Sequence, residues 1–286
     1  MKTRVIVGIS CALFAIGCLV VIGYGYGAWI SLIAAAISAL CIYEISDVIG
    51  CKNKVLKVIS MIYSFLICPY FAFGFDEKIS VSTGMIFGIY VLAILILMLK
   101  MYSKTRFEHV ATLVFCSTAI PVAFSCITRV IELPDEYPEI FHRSDSVFII
   151  LMAMFSAWLS DSFALFVGRA FGKHKMSPNI SPKKSYEGAI GGVVGTTIFA
   201  IAAWAFRYFL HFGNGTIKWW MILICVPIGC VMGMFGDLSA SVIKRNYGVK
   251  DFGNLLPGHG GAMDRVDSFL FTMPTAYILA EIIVKL

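Results

Sequence analysis

Residues 219–284 read WWMILICVPIGCVMGMFGDLSASVIKRNYGVKDFGNLLPGHGGAMDRVDSFLFTMPTAYILAEIIV. Apolar runs at 219–240 and 266–284 bracket a stretch dense in charge and glycine. Each run has about the 20 residues that a bilayer crossing requires. The stretch between them carries Asp237, Ser241, Lys244-Arg245, Lys250-Asp251, Pro257-Gly258-His259-Gly260-Gly261 and Asp264-Arg265-Val266-Asp267. Charge at the edge of a membrane is costly to keep, so a cluster of this density points to a function. Carboxylates, cations and a glycine loop together point to a phosphate and a divalent metal.

The rest of the chain repeats the apolar pattern. The 286 residues are 59% hydrophobic and only 14% charged, with a mean hydropathy of +0.86. A soluble domain carries roughly a quarter of its residues as charged side chains. Nine apolar segments can be counted, at about 5–23, 28–43, 56–75, 82–99, 109–131, 146–168, 189–210, 219–240 and 266–284. The expected fold is an all-α integral membrane protein, a polytopic bundle of about nine transmembrane helices. The N-terminal run after Met1-Lys2-Thr3-Arg4 is too long for a typical signal-peptide core and reads as the first span. Five spans fall in an N-terminal region, 1–135, and four in a C-terminal region, 146–286, which holds nearly all the candidate chemistry.

Basic residues orient the bundle. Seventeen of the 23 Lys and Arg residues fall in loops on one side, among them Lys52, Lys100, Arg169, Lys183 and Lys244, and six fall on the other. The positive-inside rule then places the N-terminus in the cytoplasm. The acidic 132–139 segment falls outside. The net charge of +6 is divided among short loops rather than gathered on one face, which argues against nucleic acid as a partner. The nine cysteines form no CxxC and have no histidine at zinc-ligand spacing; most are apolar residues of spans.

The two longest loops on the cytoplasmic side, 169–188 and 241–265, are expected to meet there. Asp237 lies near the end of the eighth span, with Ser241, Lys244 and Arg245 at i+4, i+7 and i+8, placing all four on one helical face. An ion-paired, snorkelling helix end is the structural alternative. Asp264 and Asp267, at i and i+3, share a face at the start of the ninth span. Hard carboxylate ligands of this kind suit Mg²⁺, which binds one or two carboxylates plus substrate phosphates; helix-dipole acids are the alternative. The glycine turn can wrap an anion with backbone N–H groups, and His259 can bind phosphate or serve only as a loop residue. In the other loop, Asp161 lies inside the sixth span and needs a cation or metal partner. Arg169, Lys173 and the segment Ser181-Pro182-Lys183-Lys184-Ser185-Tyr186-Glu187-Gly188 follow it, with charge suited to a triphosphate or an anionic head group. Gly188, Gly191, Gly192 and Gly195 read as close helix packing. There is no Walker A sequence, and Gly23, Gly25 and Gly27 lack the strand a dinucleotide fingerprint needs.

Taken in order, Ser241, Lys244-Arg245, Lys250-Asp251, His259-Gly260-Gly261 and Asp264-Arg265-Val266-Asp267 resemble the signature of the phosphatidate cytidylyltransferases, or CDP-diacylglycerol synthases. Asp161-Ser162, Gly168-Arg169 and Ser181-Pro182-Lys183-Lys184-Ser185 with Glu187-Gly188 extend the resemblance, with Ser185 where threonine is frequent. The motif positions span roughly 156–268. The resemblance implies the reaction of CTP with phosphatidic acid to give CDP-diacylglycerol and pyrophosphate, with Mg²⁺ and room for a second cation. It implies metal at Asp237 and Asp264, with Asp267, Ser241, Lys244 and Arg245 as phosphate or metal-shell residues. Asp161, Arg169, Lys173, Ser181, Lys183, Lys184, Ser185, Lys250, Asp251, His259, Gly260, Gly261 and Arg265 are expected around the substrates. A homodimer in the cytoplasmic membrane, with its site facing the cytoplasm, is also implied. Two rivals are a CTP-dependent polyprenol kinase and a transporter using Asp161, Asp237 and Asp264 as intramembrane coordination sites.

Overall fold

A computed structural model describes residues 2–24, 26–75, 82–211, 216–255 and 260–285. The described chain is helical apart from one hairpin. Its helices are α1 (Lys2–Gly23), α2 (Gly27–Val48), α3 (Lys54–Ala72), α4 (Thr83–Lys100), α5 (Phe107–Glu136), α6 (Arg143–Met154), α7 (Ser160–Phe171), α8 (Tyr186–Phe209), α9 (Trp219–Asn246), α10 (Met263–Val266) and α11 (Phe269–Val284). A π-helical turn, Phe155–Leu159, makes α6 and α7 one crossing. Among the described residues, eight helical segments are long and apolar enough to span a membrane. The helix α1, apolar over Leu13–Gly23, occupies the position of the first expected span. The all-α polytopic bundle expected from hydropathy is therefore present. The hairpin was not expected: β1 (Lys175–Ser177) pairs antiparallel with β2 (Ser181–Ser185) inside the 169–188 loop.

The chain forms two compact units. One comprises residues 1–128 and 247–265, the other 129–246 and 266–286. In the first unit α2 packs on α3, and buried polar side chains link the helices. Ser38 Oγ lies 2.6 Å from Ser64 Oγ, and the Tyr90 hydroxyl of α4 lies 2.9 Å from Ser60 Oγ and 2.7 Å from Ser117 Oγ. Such interhelical bonds contribute on average about 0.6 kcal/mol each. Only Tyr90 and Ile94 of α4 are buried; its other apolar side chains are half-buried or exposed, Leu92 and Leu99 among the exposed. That pattern suits a helix facing lipid. The start of α3 is capped by Asn53, whose Oδ1 accepts from the N–H groups of Val55 and Leu56.

The second unit is built on glycine contacts. A Cβ at Gly192 of α8 would lie 2.8 Å from the Ser160 carbonyl oxygen of α7, and one at Gly191 would lie 2.5 Å from the Val167 side chain. A Cβ at Gly236 of α9 would stand 2.5 Å from the Asp267 carbonyl oxygen. These helices approach backbone to backbone, as expected for the α8 glycines. Replacing Gly192 with Val should therefore lower the thermal midpoint in detergent, at a cost of about 1–3 kcal/mol for overpacking. An unchanged midpoint would mean that α7 and α8 separate without loss. At another end of this unit Arg207 Nη2 donates to the buried Asp145 Oδ1 at 2.5 Å. Asp145 also accepts from the His142 N–H at the start of α6, so the arginine inside a span is paired.

Candidate functional site

Asp161 reaches the site from α7, just after the π-helical turn. Such turns insert an extra residue into a helix and recur at functional sites. Here the turn is held by the Ser160 hydroxyl, which donates to the Ser156 carbonyl at 2.6 Å. Asp161 then lines a cavity of ≈ 260 Å³ together with Ser181, Lys183, Lys184 and Ser185 of β2, Gly188 of α8 and Asp237 of α9. Five expected site residues from the 181–185 hairpin strand and α7 thus share one chamber with the acid of α9. Lys184 Nζ forms an ion pair with Asp237 Oδ2, both side chains about three-quarters shielded from solvent. A second cavity, between α6, α9 and α11, is lined by Phe148, Met152, Cys225, Ala276 and similar residues without a charged group, so the chemistry belongs to the first.

The C-terminal half of α9 sorts its polar residues by depth. Ser241 and Lys244 are buried, while Arg245 is exposed and donates from Nε to the Ile180 carbonyl at 3.3 Å. Arg245 therefore departs from the single face expected for Asp237, Ser241, Lys244 and Arg245. At i+8 it has rotated far enough to hold the tip of the hairpin. Asp267 is buried, its Oδ1 accepting from the Ser268 N–H at 2.7 Å. Asp237, Lys244 and Asp161 all lie within electrostatic range of it.

The backbone of the 169–188 loop is shaped by Glu187, a residue quoted in the motif but given no role from sequence. Its carboxylate accepts from the N–H groups of Lys173 and His174 at 3.1 and 3.2 Å and contacts His174 Nδ1 at 2.6 Å. Arg169 and Lys173 themselves are exposed beside it. Ser185 caps α8 by accepting from the Gly188 N–H at 3.1 Å, which fixes the hydroxyl at the junction of strand and helix.

The signature's middle portion lies in the first unit. Lys250 and Asp251 are exposed, and the buried Phe252 anchors them. Asp264 Oδ2 accepts from the Phe252 N–H at 2.8 Å and from the Gly261 N–H at 3.0 Å. Gly260 has φ +83°, a left-handed conformation that L side chains rarely adopt, and a Cβ there would lie 2.9 Å from Asp264 Oδ2. The turn thus folds around the Asp264 carboxylate. Arg265 is exposed, and His259 lies outside the described residues. Sequence reasoning missed Glu44 of α2: buried, it accepts from the N–H groups of Ala262 and Met263, each at 2.9 Å. A carboxylate directly after an apolar segment was the available signal.

Among the described residues no three His, Cys, Asp or Glu side chains are gathered for one metal ion. Mg²⁺ needs only one or two carboxylates when substrate phosphates supply the remaining oxygens. Asp161 and Asp237 facing one cavity with two lysines fit that mode. All three acids expected as metal ligands, Asp237, Asp264 and Asp267, carry oxygens engaged by an ion pair or by backbone N–H groups.

Comparison with known proteins agrees with the chemistry of these residues. A family model described as "Cytidylyltransferase family" matches residues 2–283. A Bacillus subtilis phosphatidate cytidylyltransferase is 30% identical over 98% of this chain and 97% of its own length. Phosphatidate cytidylyltransferases of Staphylococcus haemolyticus and Staphylococcus aureus are 44% and 42% identical over 48% of this chain. The matched region spans half, 50%, of the length of those staphylococcal relatives.

Proposed function

The chain belongs to the cytidylyltransferase family, and on that premise we propose that it joins CTP to phosphatidic acid, releasing pyrophosphate and forming CDP-diacylglycerol. The observation that carries this reading is the cavity holding Asp161, Asp237, Lys183 and Lys184 together. An enzyme that brings an anionic lipid phosphate to a triphosphate needs cations to screen the approach and acids to seat a metal.

The lipid phosphate is already a nucleophile, so the chemistry requires no serine–histidine pair. One of its oxygens attacks the α-phosphorus of CTP. The bond from that phosphorus to the oxygen bridging the β-phosphate breaks, and the electron pair leaves with pyrophosphate. Lys183 and Lys184 are assigned to the phosphate charge, and Ser241, Lys244 and Arg245 to the phosphate oxygens or the metal's surroundings. Ser181, Ser185, Arg169 and Lys173 are assigned to the substrates, as are Lys250, Asp251, His259, Gly260, Gly261 and Arg265. Asp237, Asp264 and Asp267 are assigned to Mg²⁺. When bound, the metal would neutralise phosphate charge and favour departure of pyrophosphate. The basic loops support a cytoplasmic site, where CTP arrives from water and the lipid from the leaflet. A homodimer in the cytoplasmic membrane completes the proposal.

Purified protein in liposomes of phosphatidic acid, supplied with Mg²⁺ and labelled CTP, tests the reaction. The expected result is α-label in lipid with release of pyrophosphate. Only γ-label in lipid would mean a kinase, and solute flux without CTP turnover would mean a transporter. In the same assay Lys183→Ala should raise the KM for CTP or for lipid several-fold, about 1 kcal/mol for one partly solvated charge. Unchanged constants would return Lys183 to a purely topological role.

A further inference from the structure

The N-terminal helices carry no motif residue, yet one of their side chains grips the signature. We infer that Glu44 is a positioning residue that holds the glycine turn and Asp264 in their reactive arrangement. The inference rests on the proposed reaction and on Asp264's part in it.

Glu44 sits near the C-terminal end of α2, a 22-residue apolar helix, and is 5% exposed. A buried carboxylate at that depth is expensive unless its oxygens are satisfied. Both are satisfied by backbone: Oε1 accepts from the Ala262 N–H and Oε2 from the Met263 N–H, each at 2.9 Å. These are the two residues immediately before Asp264. The carboxylate also fills a slot that only glycines leave open. A Cβ at Gly261 would lie 2.4 Å from Glu44 Oε2, and one at Gly253 would lie 2.7 Å from Oε1.

Two carboxylates therefore divide the donors of one turn. Glu44 takes the N–H groups of residues 262 and 263, while Asp264 takes those of Phe252 and Gly261. Gly261 and Ala262 are adjacent, so the two acids bind successive peptide units. Loss of Glu44 would leave two backbone donors without these acceptors and let the segment preceding Asp264 rotate. A displacement of about 1 Å at a reacting group can cost on the order of 10²-fold in rate. Glutamine keeps the shape but presents one NH₂ where an acceptor is needed, so it preserves one bond at most.

The test compares full-length Glu44→Ala, Glu44→Gln and Asp264→Ala in liposomes, reading kcat, KM for CTP, thermal midpoint and amide hydrogen exchange over residues 250–266. For Glu44→Ala, kcat should fall on the order of 10²-fold with KM changed less than threefold. Exchange should rise in the 250–266 segment and not in α8 or α9. Glu44→Gln should recover part of both losses. Wild-type exchange and kcat in Glu44→Ala, with Asp264→Ala inactive, would overturn the inference and leave the proposed function standing. Active Asp264→Ala would instead remove the reading on which the inference rests. If Glu44→Ala fails to accumulate, Gly253→Ala, which crowds Oε1, should show the same kcat loss and local exchange; wild-type values there would also overturn it.

Discussion

Asp237→Asn is expected to lower kcat on the order of 10³-fold while the protein still inserts and its thermal midpoint moves by only a few degrees. The substitution keeps the size of the side chain and removes its charge. Two consequences follow from the cavity. Lys184 loses its ion-pair partner and keeps the Asp161 carboxylate as a nearby opposite charge. Asp161 becomes the remaining acid among the lining residues, so a divalent ion would have one fewer hard oxygen anion to bind. Deleting one electrostatic group that acts on transition-state charge typically costs about 10²–10³ in kcat, and loss of metal affinity adds to it. Raising Mg²⁺ should therefore recover part of the rate in Asp237→Asn and none in a variant of a residue that only packs. A kcat within tenfold of wild type at ordinary Mg²⁺ would remove Asp237 from the reaction and leave it as a partner for Lys184. Asp237→Glu separates the two parts of the argument. It restores charge at a longer reach, so activity above that of the asparagine variant would show that charge matters more than placement.

What hydropathy could reach in advance was the spans, because each apolar segment is long and the cost of an uncovered polar backbone in lipid permits little besides a helix. The ends were less legible. The second apolar segment, at 28–43, stops before Glu44, whereas α2 runs on to Val48. A carboxylate looks like a helix boundary until its acceptors are matched with donors from residues 262 and 263, more than 200 positions away. The same holds for Arg207, which falls near the outer end of the expected seventh span and is the partner of a buried aspartate. The hairpin at 175–185 was hidden for a different reason. Its strands are three and five residues long, and a proline and several lysines mask any alternating pattern. Asp264 follows the glycine turn directly in sequence, and its contact with the Gly261 N–H is a local one. Local spacing misjudged Arg245, because eight residues of helix accumulate 800° at 100° per residue, about 80° past two full turns, enough to swing the side chain toward Ile180.

Asp264→Ala should abolish measurable turnover, a loss of at least about 10²-fold, without preventing insertion. Its carboxylate is the acceptor for two N–H groups of a turn that contains Gly260 in the left-handed region. Removing it leaves both donors without that acceptor, at about 1–3 kcal/mol for each that stays buried and unsatisfied. Water can enter near an exposed loop and reduce that cost, so the spans should remain folded while the turn loosens. Asparagine makes the sharper comparison. Asp264→Asn keeps an oxygen that can accept the same N–H groups, so local exchange over 250–266 should stay near wild type. If Asp264 acts only by shaping the turn, Asp264→Asn should restore most of the turnover lost in the alanine variant. If it also supplies charge to a metal, Asp264→Asn should remain at least tenfold impaired and regain rate as Mg²⁺ is raised. Near-normal turnover in Asp264→Ala would exclude both roles.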